Sequence, residues 1–228
     1  MSGNGDKVTV AVMARNEEAT IADVISEVAQ FTGETIVIDG HSKDGTRDVA
    51  ASLGVPVYED GGSGKGDGIR KAIEVAGGDV IVFIDADGSH DAGDIPKLTG
   101  PILAGEADLV VGSRWTGGSD ELGGDMGKFV RSTGSAVITM AINYRWGIRL
   151  TDSQNGFRAI SRRAARAITL TEDIFTIEQE MIMQCLKHGF KVTEVPTHEY
   201  RRRAGTSQIV VWKVAHRYVW CLVKNLVK

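Results

Sequence analysis

Cysteine is scarce in this 228-residue chain: Cys185 and Cys221 are its only two. Neither their number nor their spacing suits a disulfide scaffold or a metal knuckle, and a reducing, cytoplasmic compartment is the simpler expectation. No run of about 18 or more apolar residues occurs, so no membrane span is expected. The opening residues, MSGNGDK, are too polar for a signal peptide. An excess of basic residues is missing as well. Lys and Arg total 26 against 30 Asp and Glu, a formal net charge of −4, so nothing in the overall balance asks for nucleic acid as a partner. No repeat and no linker-like stretch interrupts the chain, which reads as one continuous domain. Its 28 glycines against four prolines point to many tight turns or close backbone approaches.

What is present is an alternation of strands and helices. Lys7–Ala14, Thr35–Asp39, Val55–Tyr58 and Val80–Ile84 are short apolar runs rich in β-branched residues. Between them, Thr20–Gln30, Thr46–Leu53 and Ile69–Ala76 have helical character, the first with Ile21, Val24, Ile25 and Val28 on one side. Such alternation predicts an α/β fold: a mostly parallel central sheet covered by helices on both faces. Right-handed crossovers gather the loops at the strands' carboxyl ends on one edge. Further strands are expected at Ala107–Gly112, Phe157–Ile160 and Phe190–Pro196. Helices are expected at Ile95–Ala104, Phe129–Trp146, Arg162–Ile168 and Thr176–His188. The polar, glycine-rich Thr116–Gly127 has the composition of a mobile loop, and Thr197–Ser207 is a basic loop. Residues 1–112 form the more regular, nucleotide-binding half, 113–208 the acceptor half, and 209–228 an amphipathic helix.

The carboxyl-end edge is acidic. Glu17 follows the first strand, Asp39 ends the second, and Asp85 and Asp87 follow VIVFI two positions apart. Asp85 and Asp87 either converge on a divalent cation, which would hold a diphosphate, or decorate a turn. Asp39 either caps its own turn or hydrogen-bonds a base or ribose. Asp44 reads as a helix cap. Lys65 lies in Gly64-Lys65-Gly66, which is no nucleoside-triphosphate loop because Gly66 replaces the required hydroxyl residue; a contact to phosphate or ribose stays open. Arg114, Arg202 and Arg203 sit beside glycine-rich segments, and guanidinium forks match phosphate oxygens. Glu178 and Glu180, two apart on one helix, cannot both point at one site.

Taken in order, these pieces form a pattern. Ala14-Arg15-Asn16-Glu17-Glu18, Ile38–Thr46, Gly64-Lys65-Gly66 and Asp85-Ala86-Asp87-Gly88-Ser89-His90 come first. Val111–Arg114, Thr151–Arg158, and Glu194-Val195-Pro196 with Arg202 and Gly205-Thr206-Ser207 follow. The set resembles the inverting, metal-dependent glycosyltransferases of the GT-A fold, in particular the polyprenyl-phosphate sugar transferases of the dolichyl-phosphate mannose synthase type. The resemblance implies a nucleoside-diphosphate sugar donor, of the GDP-mannose, UDP-glucose or UDP-N-acetylglucosamine type. It places the donor against Ala14, Asn16, Glu17, Asp39, Lys65, Asp85, Ala86, Asp87, Arg114, Arg202 and Ser207. It puts Mg²⁺ or Mn²⁺ on Asp87 with Asp85, and Asp85, Arg114 and Asp152 around the reacting centre.

A polyprenyl phosphate acceptor is already anionic and needs no general base. A soluble hydroxyl acceptor, the alternative, would need a carboxylate, for which Asp152, Glu178 and Glu180 are the candidates. A nucleotidyltransferase would carry a glycine-rich basic signature after the first strand, where this chain has Asn16-Glu17-Glu18. A non-catalytic nucleotide-binding protein is disfavoured by the intact pair Asp85 and Asp87. Finally, Ile209–Lys228 interleaves Trp212, Tyr218, Trp220 and Leu222 with Lys213, Arg217 and Lys224, which suits peripheral contact with the cytoplasmic face of a membrane. Packing on the domain itself or on a second copy, as a homodimer, is the alternative.

Overall fold

A computed structural model describes residues 8–120, 126–203 and 211–227, with side chains described outside 126–132 and 211–214. Among these residues seven strands form a single sheet in the order β3-β2-β1-β4-β6-β5-β7. They are Val8–Ala14 (β1), Glu34–Asp39 (β2), Val57–Glu59 (β3), Val80–Asp85 (β4), Leu109–Ser113 (β5), Arg158–Ser161 (β6) and Val192–Pro196 (β7). The helices are Ile21–Val28 (α1), Thr46–Ser52 (α2), Lys65–Val75 (α3), Ile95–Leu103 (α4), Arg114–Gly117 (α5), Met126–Trp146 (α6), Arg162–Ala167 (α7), Ile177–Lys187 (α8) and Val211–Val227 (α9).

The period of two along each strand divides the core. Val8, Val10, Val12 and Ala14 of β1, with Val80, Val82 and Ile84 of β4, pack under α1 and α4. Ala11, Ile81 and Phe83 face the opposite layer, built by α3, α6, α7, α8 and α9. Both faces are covered, which is why these strands read as unbroken apolar runs. β1 pairs in parallel with β2 on one side and β4 on the other. The crossovers therefore diverge at β1, and a crevice opens beyond the carboxyl ends of β1, β2 and β4.

Three features depart from the sequence reading. Strand β6 runs antiparallel to both β4 and β5; a polar turn rather than a crossover helix leads into it, and apolar pattern alone carries no direction. Helix α3 begins at Lys65, four residues before the expected start. Its Gly66 and Gly68 are not loop residues but contact points: a Cβ on Gly66 would strike the Glu172 carbonyl, and one on Gly68 would lie 2.9 Å from Met13 Cε. The start of the glycine-rich Thr116–Gly127 is held rather than loose. Asp120 N donates to the Glu199 carbonyl at 2.8 Å, and Gly118 accepts from Glu199 N at 3.0 Å. Residues 121–125 lie outside the described residues.

Candidate active site

Strand parity sets the direction of Asp85. As the last residue of β4 it follows Ile81 and Phe83 onto the α3/α8 face, where Lys65, the first residue of α3, meets it. Lys65 Nζ lies 2.9 Å from each Asp85 oxygen and 3.1 Å from Glu178 Oε1. Gly156 gives this trio its room, since a Cβ there would sit 2.5 Å from Lys65 Nζ and 3.1 Å from Glu178 Oε1. Burial alone would lower the lysine's pKa, but Asp85 and then Glu178 hold it above its ordinary value. Burial alone would raise Asp85; Lys65 overcomes this and keeps it below the usual carboxylate range. Burial pushes Glu178 up. The two acids on this one lysine are thus shifted in opposite directions, Asp85 down and Glu178 up. Lys65, expected on phosphate or ribose, is held here by carboxylates.

Asp87 sits two residues further on, past the end of the strand. Its Oδ1 accepts from Ser89 N at 3.0 Å, with Gly88 at φ 70° making the turn, and its Oδ2 lies 3.2 Å from Arg202 Nη1. Arg202 is positioned because its loop is laced to the same turn: Tyr200 N donates to the Ser89 carbonyl at 2.8 Å and Arg203 N to the Asp87 carbonyl at 3.1 Å. Glu17 joins this cluster from the loop after β1. Its pKa is pushed up to about 7, first by burial and then by the negative charge of Asp87, with Arg202 pulling the other way. Glu17 and Asp87 are thus two acids beside the one guanidinium of Arg202. His90 lies behind it, stacked on Phe157 with ring centroids 4.9 Å apart, and burial lowers its pKa despite Asp85 and Glu199. Its Nδ1 is buried without a hydrogen-bond partner.

Asp39 is fully buried, and its two oxygens differ in what they meet. Oδ2 accepts from Ser42 N at 2.9 Å, the turn cap, while Oδ1 is buried with no partner. Asn16, in the left-handed region at φ 58°, ties the first loop to the second: its N donates to Ser42 Oγ at 2.9 Å and its Oδ1 accepts from Lys43 N at 2.8 Å. Ala14 and Ala86 are buried, and their main chains are bonded within the fold. The Ala14 carbonyl accepts from Gly40 N at 2.8 Å, Ala86 N donates to the Met13 carbonyl at 2.9 Å, and the Ala86 carbonyl accepts from Thr20 Oγ1 at 2.7 Å. These three shape the crevice floor. Asp44 caps the start of α2, its Oδ1 accepting from Thr46 N at 3.1 Å.

Between residues 113 and 208, Arg114 and Asp152 form a forked pair. Arg114 Nε donates to Asp152 Oδ2 at 2.6 Å and Nη2 to Oδ1 at 3.1 Å. Asp152 is fully buried and also accepts from Gln154 N at 3.0 Å. Burial would raise its pKa, but Arg114 holds it below the usual range. Glu180 points away, accepting from Thr171 N and Glu172 N at 2.9 and 2.8 Å. Ser207 lies outside the described residues.

Two contributors escaped the sequence reading. Glu199 reaches Arg114 Nη1 at 3.4 Å, accepts from Ser119 Oγ at 2.6 Å and bridges to the strand-like His90; an acid inside the otherwise basic HEYRRR was its only signal. Arg158 is fully buried behind the site. It donates to the Glu178 carbonyl at 2.6 Å and through Nε to the Asn155 carbonyl at 3.0 Å, with Nη2 on that same carbonyl. Among the described residues no group of three or more His, Cys, Asp or Glu is placed to hold a metal by protein atoms alone.

A doubly wound sheet with acids at the carboxyl ends of its first, second and fourth strands is the architecture of a GT-A glycosyltransferase. The chain belongs to glycosyl transferase family 2, which it matches over residues 9–169. It is 37% identical over 203 residues to glycosyltransferase AglJ of Haloferax volcanii, an alignment covering 88% of this chain and 65% of that protein. It is 27% identical to the UDP-N-acetylglucosamine–dolichyl-phosphate N-acetylglucosaminyltransferase of Methanococcus voltae, covering 92% of this chain and 94% of the relative. The chain spans 65% and 53% of the length of AglJ and of the low-salt glycan biosynthesis hexosyltransferase Agl6 of the same organism. Among solved structures, glucosyl-3-phosphoglycerate synthase from Mycobacterium tuberculosis in complex with Mn²⁺, UDP and glucosyl-3-phosphoglycerate shares the fold. The TM-score is 0.77 at 22% identity, over 97% of this chain and 80% of that one.

Proposed function

We propose that this protein transfers a sugar from a nucleoside-diphosphate sugar to a polyprenyl phosphate, with Mg²⁺ or Mn²⁺ and with inversion at the anomeric carbon. The observation that carries the reading is the gathering of carboxylates at the sheet edge: Asp85 ends β4, Asp87 follows it beside Arg202, and Glu17 joins them with its pKa pushed up to about 7, first by burial and then by the negative charge of Asp87. An all-oxygen donor set fits a hard divalent cation and not zinc. Asp87 and Asp85 would hold that ion, which would supply positive charge against that developing on the departing diphosphate.

The chain's own residues do the rest. The unpartnered Asp39 Oδ1 is a ready acceptor for a ribose hydroxyl or a base N–H. Arg202, across the turn from Asp87, offers its guanidinium to phosphate. Lys65 keeps Asp85 ionised and oriented. The acceptor choice follows from how the candidate bases Asp152 and Glu178 are held. Asp152 has both oxygens on Arg114, and Glu178 is buried against Lys65. A nucleophile that is already anionic needs neither, and a phosphate oxygen is one. The Methanococcus voltae relative, named for transfer to dolichyl phosphate, supports this. The Mycobacterium tuberculosis synthase, seen with a phosphorylated small acceptor, supports the soluble-acceptor rival only through shared fold.

The deciding measurement is nucleoside diphosphate release from a panel of UDP- and GDP-sugars with Mn²⁺, with and without polyprenyl phosphate. Release that requires the lipid is the expected result. Release that ignores the lipid and requires a small alcohol would transfer the assignment to the rival.

A further inference from the structure

Helices α6 and α9 pack against each other and bury their inner stripes in one core, through Ile138 and Ile142 on α6 and Cys221 on α9. Their outer stripes are also apolar, which a water-facing surface does not require. On α6 the exposed line is Val137, Met140 and Tyr144, at i, i+3 and i+7, with Tyr144 94% exposed. On α9 it is Val219, Trp220, Val223 and Val227, the tryptophan 66% and the last valine 82% exposed. The polar Asn225 of α9, by contrast, is buried. Since the inner stripes share a core, the outer stripes share one face of the molecule, and exposed apolar surface of this extent marks a contact.

The charge on these helices identifies the partner. Neither α6 nor α9 contains an Asp or Glu; Arg145 on the first is exposed and Arg217 on the second half-exposed, while Lys224 turns inward to Thr171 Oγ1 at 2.8 Å and Glu172 Oε1 at 3.8 Å. The chain as a whole carries −4, so these acid-free helices run against its overall balance. Exposed Arg145 and Arg149 close the end of α6. Apolar stripe, interfacial Trp and Tyr, and cations without acids together match an anionic bilayer surface. No helix among the described residues is long and apolar enough to cross a membrane, so the helices would lie in the interface plane. We infer that the outer face of α6 and α9 docks this protein on an anionic lipid surface. The face is tied to the acceptor half, because Thr139 of α6 is 2.8 Å from Ser153, next to Asp152. As a route to a lipid-borne acceptor it rests on the function proposed above; as a membrane contact it stands independently.

The test is flotation of the purified protein with vesicles of phosphatidylcholine alone or mixed with phosphatidylglycerol, together with sedimentation velocity in the absence of lipid. Binding to the mixed vesicles, weak binding to the neutral ones and weakening by salt are expected. Trp220→Ser with Val223→Ser and Val227→Ser should cut binding about tenfold or more. Arg145→Glu with Arg149→Glu, which leaves the stripes intact, should abolish the preference for anionic vesicles. Indifference to vesicles, or a dimer in solution that the serine variant dissolves, would overturn the inference. Vesicle binding retained alongside transfer that ignores polyprenyl phosphate would leave the docking in place and remove the acceptor assignment instead.

Discussion

The two sides of the crevice hold ionised groups in opposite ways. Around Arg114 and Asp152 the chain satisfies itself: a forked ion pair, Glu199 on the remaining guanidinium nitrogen, and Arg158 capped by main-chain carbonyls. Around Glu17, Asp39 and Asp87 it does not. One carboxylate oxygen is buried and partnerless, and one glutamate is driven toward its neutral form. A self-paired cluster builds a rigid wall, whereas an unbalanced one stores a cost that only a bound cation, phosphate or hydroxyl relieves. The difference separates groups that position from groups that bind, although both sides are equally rich in charge.

The sharpest way to break the comparison is Asp87→Asn. If the unbalanced side binds metal and donor, the substitution should lower Mn²⁺-dependent transfer roughly 10²–10³-fold. At about pH 5, where Glu17 is protonated, it should leave thermal unfolding nearly unchanged, since the asparagine still accepts from Ser89 N. Transfer within a few-fold of the parent would remove Asp87 from the site.

The complementary change is Arg158→Ala on the self-paired side. It strands the carbonyls of Asn155 and Glu178 in the interior and empties the space of the largest fully buried side chain. Two unsatisfied buried acceptors and a cavity should destabilise by about 3 kcal/mol or more in urea unfolding. A loss under about 1 kcal/mol would mean that this wall is not held by its internal bonds.

How much of this was legible beforehand depended on which signal was local. The sheet could be read because both faces of β1 and β4 are covered, so all their residues but Thr9 and the terminal Asp85 are apolar. The position of the acids could be read because parallel strands must deliver their ends to one edge. Pairing could not be read. Nothing near Lys65 in sequence announces Glu178, and only the fold brings α3 against α8. The glycines around Lys65 look like a phosphate loop, yet Gly66 exists because α3 touches the main chain of Glu172 and Asp173. Gly66→Ala therefore should destabilise by about 1–3 kcal/mol through backbone overlap. Gly156→Ala, which meets the side-chain ends of Lys65, Glu178 and Asp85 and no main chain, should be milder in stability and visible chiefly in activity. Equal unfolding free energies for the two variants would contradict the packing reading.

The smallest effect is also the one that tests the imbalance directly. The folded pKa of Glu17 is about 7 against an ordinary 4.5, so between those values the folded protein binds more protons than the unfolded chain. Stability contributed by this residue is then present at low pH and declines as pH rises through that window. Glu17→Gln removes the titration, so the variant should gain on the parent as pH rises from about 5 to about 7.5 in thermal melts. Asp87→Asn should act in the same direction by deleting the charge second only to burial in raising Glu17. Mn²⁺ with UDP should reverse the slope, because a cation beside Glu17 favours its ionised form, and binding should tighten as pH increases across the same interval. A parent protein whose stability is flat over this range, or whose Mn²⁺-UDP affinity falls with rising pH, would show that the edge is balanced without a ligand. The distinction between its two sides would then collapse.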